Sequence, residues 1–179
     1  PTRTLVGALT TLQGCINAKP QFDPFGNLML VNASTQSIDF FAPNANGNVA
    51  PIGTISGLST GISGPRGLFV DAAGNVYVAQ ESTSPCCAVK ILEFAAGSYT
   101  ATSNNNISPS RTIISTNTIS NNPTDIWVDG SGTIYVSATP GGNSALLSFP
   151  PGSSGSVAPT VISGNITQFG FAEGVAVGL

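Results

Sequence analysis

One short pattern, written three times, constrains this chain more than anything else in it. Phe22–Val31 reads FDPFGNLMLV, Val70–Ala79 reads VDAAGNVYVA, and Val128–Ser137 reads VDGSGTIYVS. Each copy has an Asp, two residues, a Gly, a polar residue and then an apolar run. Asp23, Asp71 and Asp129 recur at a spacing of roughly 50 residues, the period of one supersecondary unit copied along a chain.

The middle copy shows what the unit is. Gly67–Val70 is a short apolar strand with a small first residue. Asp71–Asn75 is a tight turn, in which Asp bonds the amides that follow it and Gly tolerates a positive φ. Val76–Ala79 makes the return strand of a hairpin. Gln80–Cys87 reads as a loop, Val89–Phe94 as a third strand, and the β-branched Thr112–Ser115 as a fourth. The other copies keep this order, with third strands at Ser37–Phe41 and Ala145–Phe149 and fourth strands at Thr54–Ser56 and Val161–Ser163. Pro65 and Pro123 precede two first strands, where a missing amide donor is tolerated. No stretch carries sustained helical periodicity, so almost no helix is expected. Four antiparallel strands in a unit of about 40–50 residues describe the blade of a β-propeller. The expected fold is therefore all-β, one repeat domain over 1–179 with blades at about 17–57, 65–115 and 123–163. Phe41, Phe94, Phe149 and Trp127 are expected to pack in the core.

The phrases GPRGLFVDAAGNVYVAQ and NPTDIWVDGSGTIYVSA resemble NHL-type propeller repeats. The flanking ANGNVAPIGTISG and GSVAPTVISG resemble the variety found in secreted bacterial proteins of unknown function. The resemblance covers nearly the whole chain. It implies the fold and leaves the activity open, since propellers host many functions. Some NHL-like propellers are hydrolases or lyases that hold calcium or zinc on the axis, which needs converging carboxylate, Asn or His side chains.

The composition argues against such chemistry. There is no histidine, which removes the usual general base and the commonest metal ligand. Leu68, Phe69, Ile126, Trp127 and Val175 lie on the inner strands, with only Arg66 and Asp125 as nearby charges, read as a structural or solvated pair. The turn aspartates lie one per unit, too far apart to share an ion, and turn capping explains them. Five scattered basic residues cannot neutralise a phosphate backbone, so no nucleic-acid partner is expected. No apolar run approaches the roughly 20 residues of a membrane span. We therefore expect no catalytic residues, no metal and no cofactor. The leading expectation is a non-enzymatic structural or interaction module. A glycan- or small-ligand-binding propeller is the alternative, using a loop face with Cys15, Cys86 and Gln80–Pro85. A lactonase-like metal-dependent hydrolase comes third.

Sparse charge and abundant Ser, Thr and Asn suggest a secreted or cell-surface protein. The chain opens on Pro1 and its single methionine is Met29, which fits removal of a leader or membership of a longer chain. Sequons stand at Asn32, Asn106 and Asn165. Cys15, Cys86 and Cys87 fit neither a zinc spacing nor a CxxC motif. The connections bearing Cys15 and the Cys86–Cys87 pair would emerge on one face, so a bridge from Cys15 to Cys86 or Cys87 is expected; a vicinal bridge and three free thiols are the alternatives.

The ends do not close the count. RTLVG at Arg3–Gly7 matches RTIIS at Arg111–Ser115, so the chain opens on a fourth strand. GVAV at Gly174–Val177 matches Gly67–Val70, so it ends on a first strand. Three blades with single strands at 3–7 and 174–177 are too few for a typical ring of about 4–8 blades. An open arc exposes unpaired edges. Its partners are expected to be further blades of a longer chain or other copies of itself, meeting at Arg3, Leu5, Val6, Gly174, Val175 and Val177.

Overall fold

A computed structural model describes residues 2–12, 18–83, 86–117, 122–139, 144–163 and 174–176, with the backbone alone of Cys86 and Cys87. Among the described residues fourteen strands fall into three sheets, one per repeat. The first unit is β1 (Gln21–Phe22), β2 (Leu28–Asn32), β3 (Ser37–Phe41) and β4 (Gly53–Ser56). The second is β5 (Pro65–Val70), β6 (Val76–Thr83), β7 (Cys86–Phe94) and β9 (Arg111–Ser115), with a two-residue β8 (Asn104–Asn105) between its third and fourth strands. The third is β10 (Pro123–Val128), β11 (Ile134–Ala138), β12 (Ala145–Phe149) and β14 (Thr160–Ser163), with β13 (Gly155–Val157) placed as β8 is. Within each unit consecutive long strands pair antiparallel, as the sequence leads one to expect of an all-β chain of four-stranded units.

The turn aspartates set the hairpins. Asp23 Oδ1 accepts the amides of Phe25 and Asn27, at 2.9 and 2.8 Å. Asp71 Oδ1 accepts those of Ala73 and Asn75, at 3.0 and 2.8 Å. Asp129 Oδ1 accepts those of Ser131 and Thr133, at 2.9 and 3.0 Å. The glycine three residues after each Asp holds a φ of 81 to 90°, a conformation that a Cβ disfavours. The hairpin register then places the Phe that ends each third strand: Phe41 faces Leu28, Phe94 faces Val76, and Phe149 faces Ile134. All three are fully buried.

The core lies between units, in two layers. Met29, Val31, Ile38, Phe40 and Ile55 of the first unit pack on Leu68, Val76, Val78, Leu92 and Phe94 of the second. Phe69, Tyr77, Val89, Ile91 and Ile113 of the second pack on Ile126, Ile134, Val136, Leu147 and Phe149 of the third. Each unit thus has a forward face, turned to its successor, and a backward face, turned to its predecessor. Trp127 is partly buried against the second layer, its ring 4.9 Å from Phe69.

Two expectations need correction. Gln80–Cys87 is mostly ladder, because β6 and β7 run on and pair Gln80 with Lys90, Glu81 with Val89 and Ser82 with Ala88. Gln80 and Ser82 alternate inward while Thr83 points to solvent, the period of a strand written in polar residues. Arg3–Gly7 is not a strand: it forms one parallel bridge, Leu5 to Gly47. A fourth strand draws its ladder from the third strand of its own unit, and none stands beside this segment among the described residues. Gly174–Ala176 carries no strand assignment, and Val177 lies outside the described residues.

Candidate functional site

The units interlock by a rule the sequence did not reveal. The outer edge of each fourth strand is covered, in parallel, by the loop before the fourth strand of the next unit. Thr54 and Ile55 of β4 pair with Asn104 and Asn105 of β8. Ile113, Ile114 and Ser115 of β9 pair with Gly155, Ser156 and Val157 of β13. The Leu5–Gly47 bridge is the same contact again, with residues 3–7 standing for a fourth strand and Asn46–Asn48 for the covering loop.

Side chains repeat the likeness. Asn106 Oδ1 accepts the Ser59 amide at 2.9 Å, and Asn48 Oδ1 accepts the Leu9 amide at 2.8 Å. A 3-10 turn follows β4, at Leu58–Thr60, and another follows residues 3–7, at Ala8–Thr10. Arg111 donates to the Ser153 carbonyl, and Arg3 donates to that of Pro43.

The rule breaks at β14, whose outer edge has no strand on it among the described residues. The register on the third strands aligns Ile55, Ile113 and Ile162. Ile55 is 0% exposed and Ile113 1%, yet Ile162 is 48% exposed. The forward face around Ile162, with Tyr135 and Leu146 half-buried, lacks the cover its two counterparts have. At the other end the backward face of the first unit is open at Phe22, while Leu30 and Phe41 on the same face are buried. Phe22 is 64% exposed, and Phe22, Leu28 and Leu30 line a groove of about 770 Å³ with Leu5, Leu12 and Ala18.

Near the inner ends of the first strands the charges pair differently from the expected Arg66 and Asp125. The Asp125 carboxylate, 1% exposed, forms an ion pair with Lys19 and accepts the Val175 amide at 2.9 Å. Lys19 also donates to the Val175 carbonyl at 3.2 Å. Lys19, Gly67, Asp125 and Gly174 each lie four residues before a turn position, so they are equivalent in the repeat. A Cβ at Gly67 would come within 3.1 Å of the Asp125 backbone, and one at Gly174 within 3.2 Å of the Lys19 ammonium. Two glycines therefore make room for the pair. Arg66 instead lines a shallow hollow with Glu81.

The remaining candidates are placed as follows. Of the terminal residues, Val6 is 63% exposed, Leu5 half-buried and Gly174 exposed. Cys15 lies outside the described residues, and Cys86 and Cys87 lie at the start of β7, where Cys86 pairs with Thr83. Gln80 is consumed by structure: it accepts the Ser63 amide at 3.0 Å and donates to the Gly61 carbonyl at 2.9 Å. Asn32 is 3% exposed and bonded to Asp39 at 2.9 Å, so its sequon is closed in the folded chain, whereas Asn106 is exposed. Among the described residues no three of His, Cys, Asp or Glu converge as metal ligands would.

Burial pushes the hydroxyls of Tyr77 and Tyr99 up to about 12, and nearby carboxylates add to it, Glu93 and Asp71 for the first and Asp23 and Asp71 for the second. The folded state therefore keeps protons that the unfolded chain loses near pH 10. Stability is at full value below about pH 10 and falls as the pH rises toward 12. An ultraviolet titration should show tyrosine ionising together with loss of the fold. Two tyrosines ionising near pH 10 in a still-folded protein would contradict this.

A comparison of the sequence with protein-family models and with curated proteins finds no match.

Proposed function

We propose that this chain is a non-enzymatic, propeller-type repeat module of the NHL kind, working outside the cell by joining further units at its two open ends. The observation that carries this is Ile162: it is half exposed at a position whose two counterparts are sealed by a following unit. Burying what remains exposed of that side chain is worth roughly 1 kcal/mol, before the rest of the face is counted. An uncovered strand edge beside an apolar face favours another sheet over water. The open backward face at Phe22 and Leu28 supplies the matching surface.

Sedimentation of the purified 18.0 kDa chain tests this. Species heavier than the monomer are expected to grow with concentration, and Ile162→Glu is expected to raise the concentration needed by about tenfold or more. A monomer at every concentration would reject the reading. So would assembly indifferent to Ile162→Glu.

A further inference from the structure

We propose that the cavity between the first two Asp turns, walled by Phe25 and Tyr99, is a binding site for an organic cation of the quaternary ammonium class. The inference is independent of how units join, because this cavity lies wholly within the first two repeats.

The cavity has a volume of about 510 Å³ and opens where three segments meet. Asp23–Phe25 of the first turn form one side, Ala72–Gly74 of the second turn another, and the loop around Tyr99 the third. Its size is that of a small-molecule site, and its lining is mostly apolar.

The repeat is broken twice here, and both breaks border the same space. The third position of the turn is Phe25 in the first copy but Ala73 and Ser131 in the others. Five residues after the Phe that closes each third strand stand Asn46, Tyr99 and Ser154. Each aromatic thus occurs once in three copies, and the two meet at one cavity. Phe25 is 85% exposed, so no core accounts for it. Tyr99 is held in place: its ring stacks on Phe40 with centroids 5.6 Å apart, and its hydroxyl donates to the Gly74 carbonyl at 2.7 Å.

The charge around the cavity is negative. Asp23 lines it, Asp71 opens the second turn, and both carboxylates act on the Tyr99 hydroxyl. The ion pairs among the described residues join Lys19 to Asp125 and Arg111 to Glu93, so neither turn carboxylate is neutralised by one. Their oxygens are nonetheless in use. Asp23 accepts two backbone amides and, at 2.7 Å, the Asn27 side chain; Asp71 accepts the same set from Ala73 and Asn75. A primary ammonium or a guanidinium would bring N–H donors to acceptors already taken, and would give up its water without replacement. A quaternary ammonium has no N–H to satisfy. Its surface is apolar, it gains from aromatic faces, and it feels both negative charges through space. An anion would be repelled, and a neutral body of the same shape would have the apolar contact alone.

Calorimetric titration of the full chain with tetramethylammonium tests this, with tert-butanol as the neutral probe of similar shape. The cation is expected to bind about tenfold or more tighter than the alcohol, and to weaken as salt is raised. Phe25→Leu keeps the apolar bulk and removes the aromatic face, and should weaken cation binding about tenfold. Phe22→Leu, at an exposed ring outside the cavity, should leave binding unchanged. Circular dichroism checks the fold of each variant, and shifts of the Phe25 and Tyr99 ring protons in the unaltered chain locate the site without any substitution. No binding of tetramethylammonium, equal binding of tert-butanol, or cation binding indifferent to Phe25→Leu would each overturn the inference. Once binding is seen, phosphatidylcholine vesicles separate its two sources: retention on them that is lost in Phe25→Leu assigns the cation to a lipid headgroup, and no retention assigns it to a free compound.

Discussion

Phe94→Ala should cost about 3–5 kcal/mol of unfolding free energy, the usual range for a large aromatic removed from a packed core. Phe94 is fully buried and sits in the layer that joins the first and second units, among Met29, Phe40, Leu68 and Leu92. The rigid ladder on either side of it, Val76 on β6 and the rest of β7, limits how far the cavity can collapse. A chain of this kind has about 5–15 kcal/mol of stability in all, so the change removes roughly a fifth or more. Urea unfolding measures it, as a lower midpoint at an unchanged slope. Phe22→Ala is the companion variant. That ring is 64% exposed, and a loss under about 1 kcal/mol is expected. Equal losses at Phe22 and Phe94 would mean that the layer between units is not where the stability resides.

The second large effect is expected at the inner ends of the first strands. Lys19→Met leaves the Asp125 carboxylate 1% exposed, with the Val175 amide as its remaining partner. Asp125 Oδ1 has no hydrogen-bond partner among the described residues even before the change. Removing one member of a buried pair strands the other charge and costs about 3–5 kcal/mol; the low end, about 3, applies here because the lysine is half in water. The double variant Lys19→Met, Asp125→Asn should recover much of the loss, since no charge is then stranded. Thermal unfolding of the single and double variants decides it. A single variant within about 0.5 kcal/mol of the parent would show that the pair is ornamental.

What the sequence disclosed followed from local chemistry. The Asp-x-x-Gly turn carries its own hydrogen bonds, so its three copies could be read without knowing what packs on them. The third strands at Ser37–Phe41 and Ala145–Phe149 were legible to the residue, because apolar residues bounded by turns define them. Legibility failed where the backbone does the work. Asn104–Asn105 and Gly155–Val157 pair through main-chain groups, and Asn or Gly there has the composition of a loop. Gln80 and Ser82 misled in the same way, being polar, buried and in a strand. The Lys19–Asp125 pair joins residues far apart in sequence, and only their equal offset from the turn aspartates could have brought them together. For the contacts between repeats the sequence does carry a signal. The tripeptides Asn46–Asn48 and Asn104–Asn106 stand ahead of matching fourth strands, and Asn48 and Asn106 cap matching turns.

Because β4 and β9 complete their pairing on the following repeat, no repeat is self-sufficient, and coupling runs mainly between nearest neighbours, with the Lys19–Asp125 pair as a tie from the first unit to the third. Such a chain behaves as a one-dimensional zipper: the free energy of the whole is a sum of unit terms and junction terms. The middle repeat, sealed on both sides, should be the last to exchange its amide hydrogens, and unravelling should start from the outer two. The same grammar makes length cheap to change. Inserting or deleting a whole repeat reuses an existing junction, so a lineage of such proteins could vary its reach without inventing a new interface.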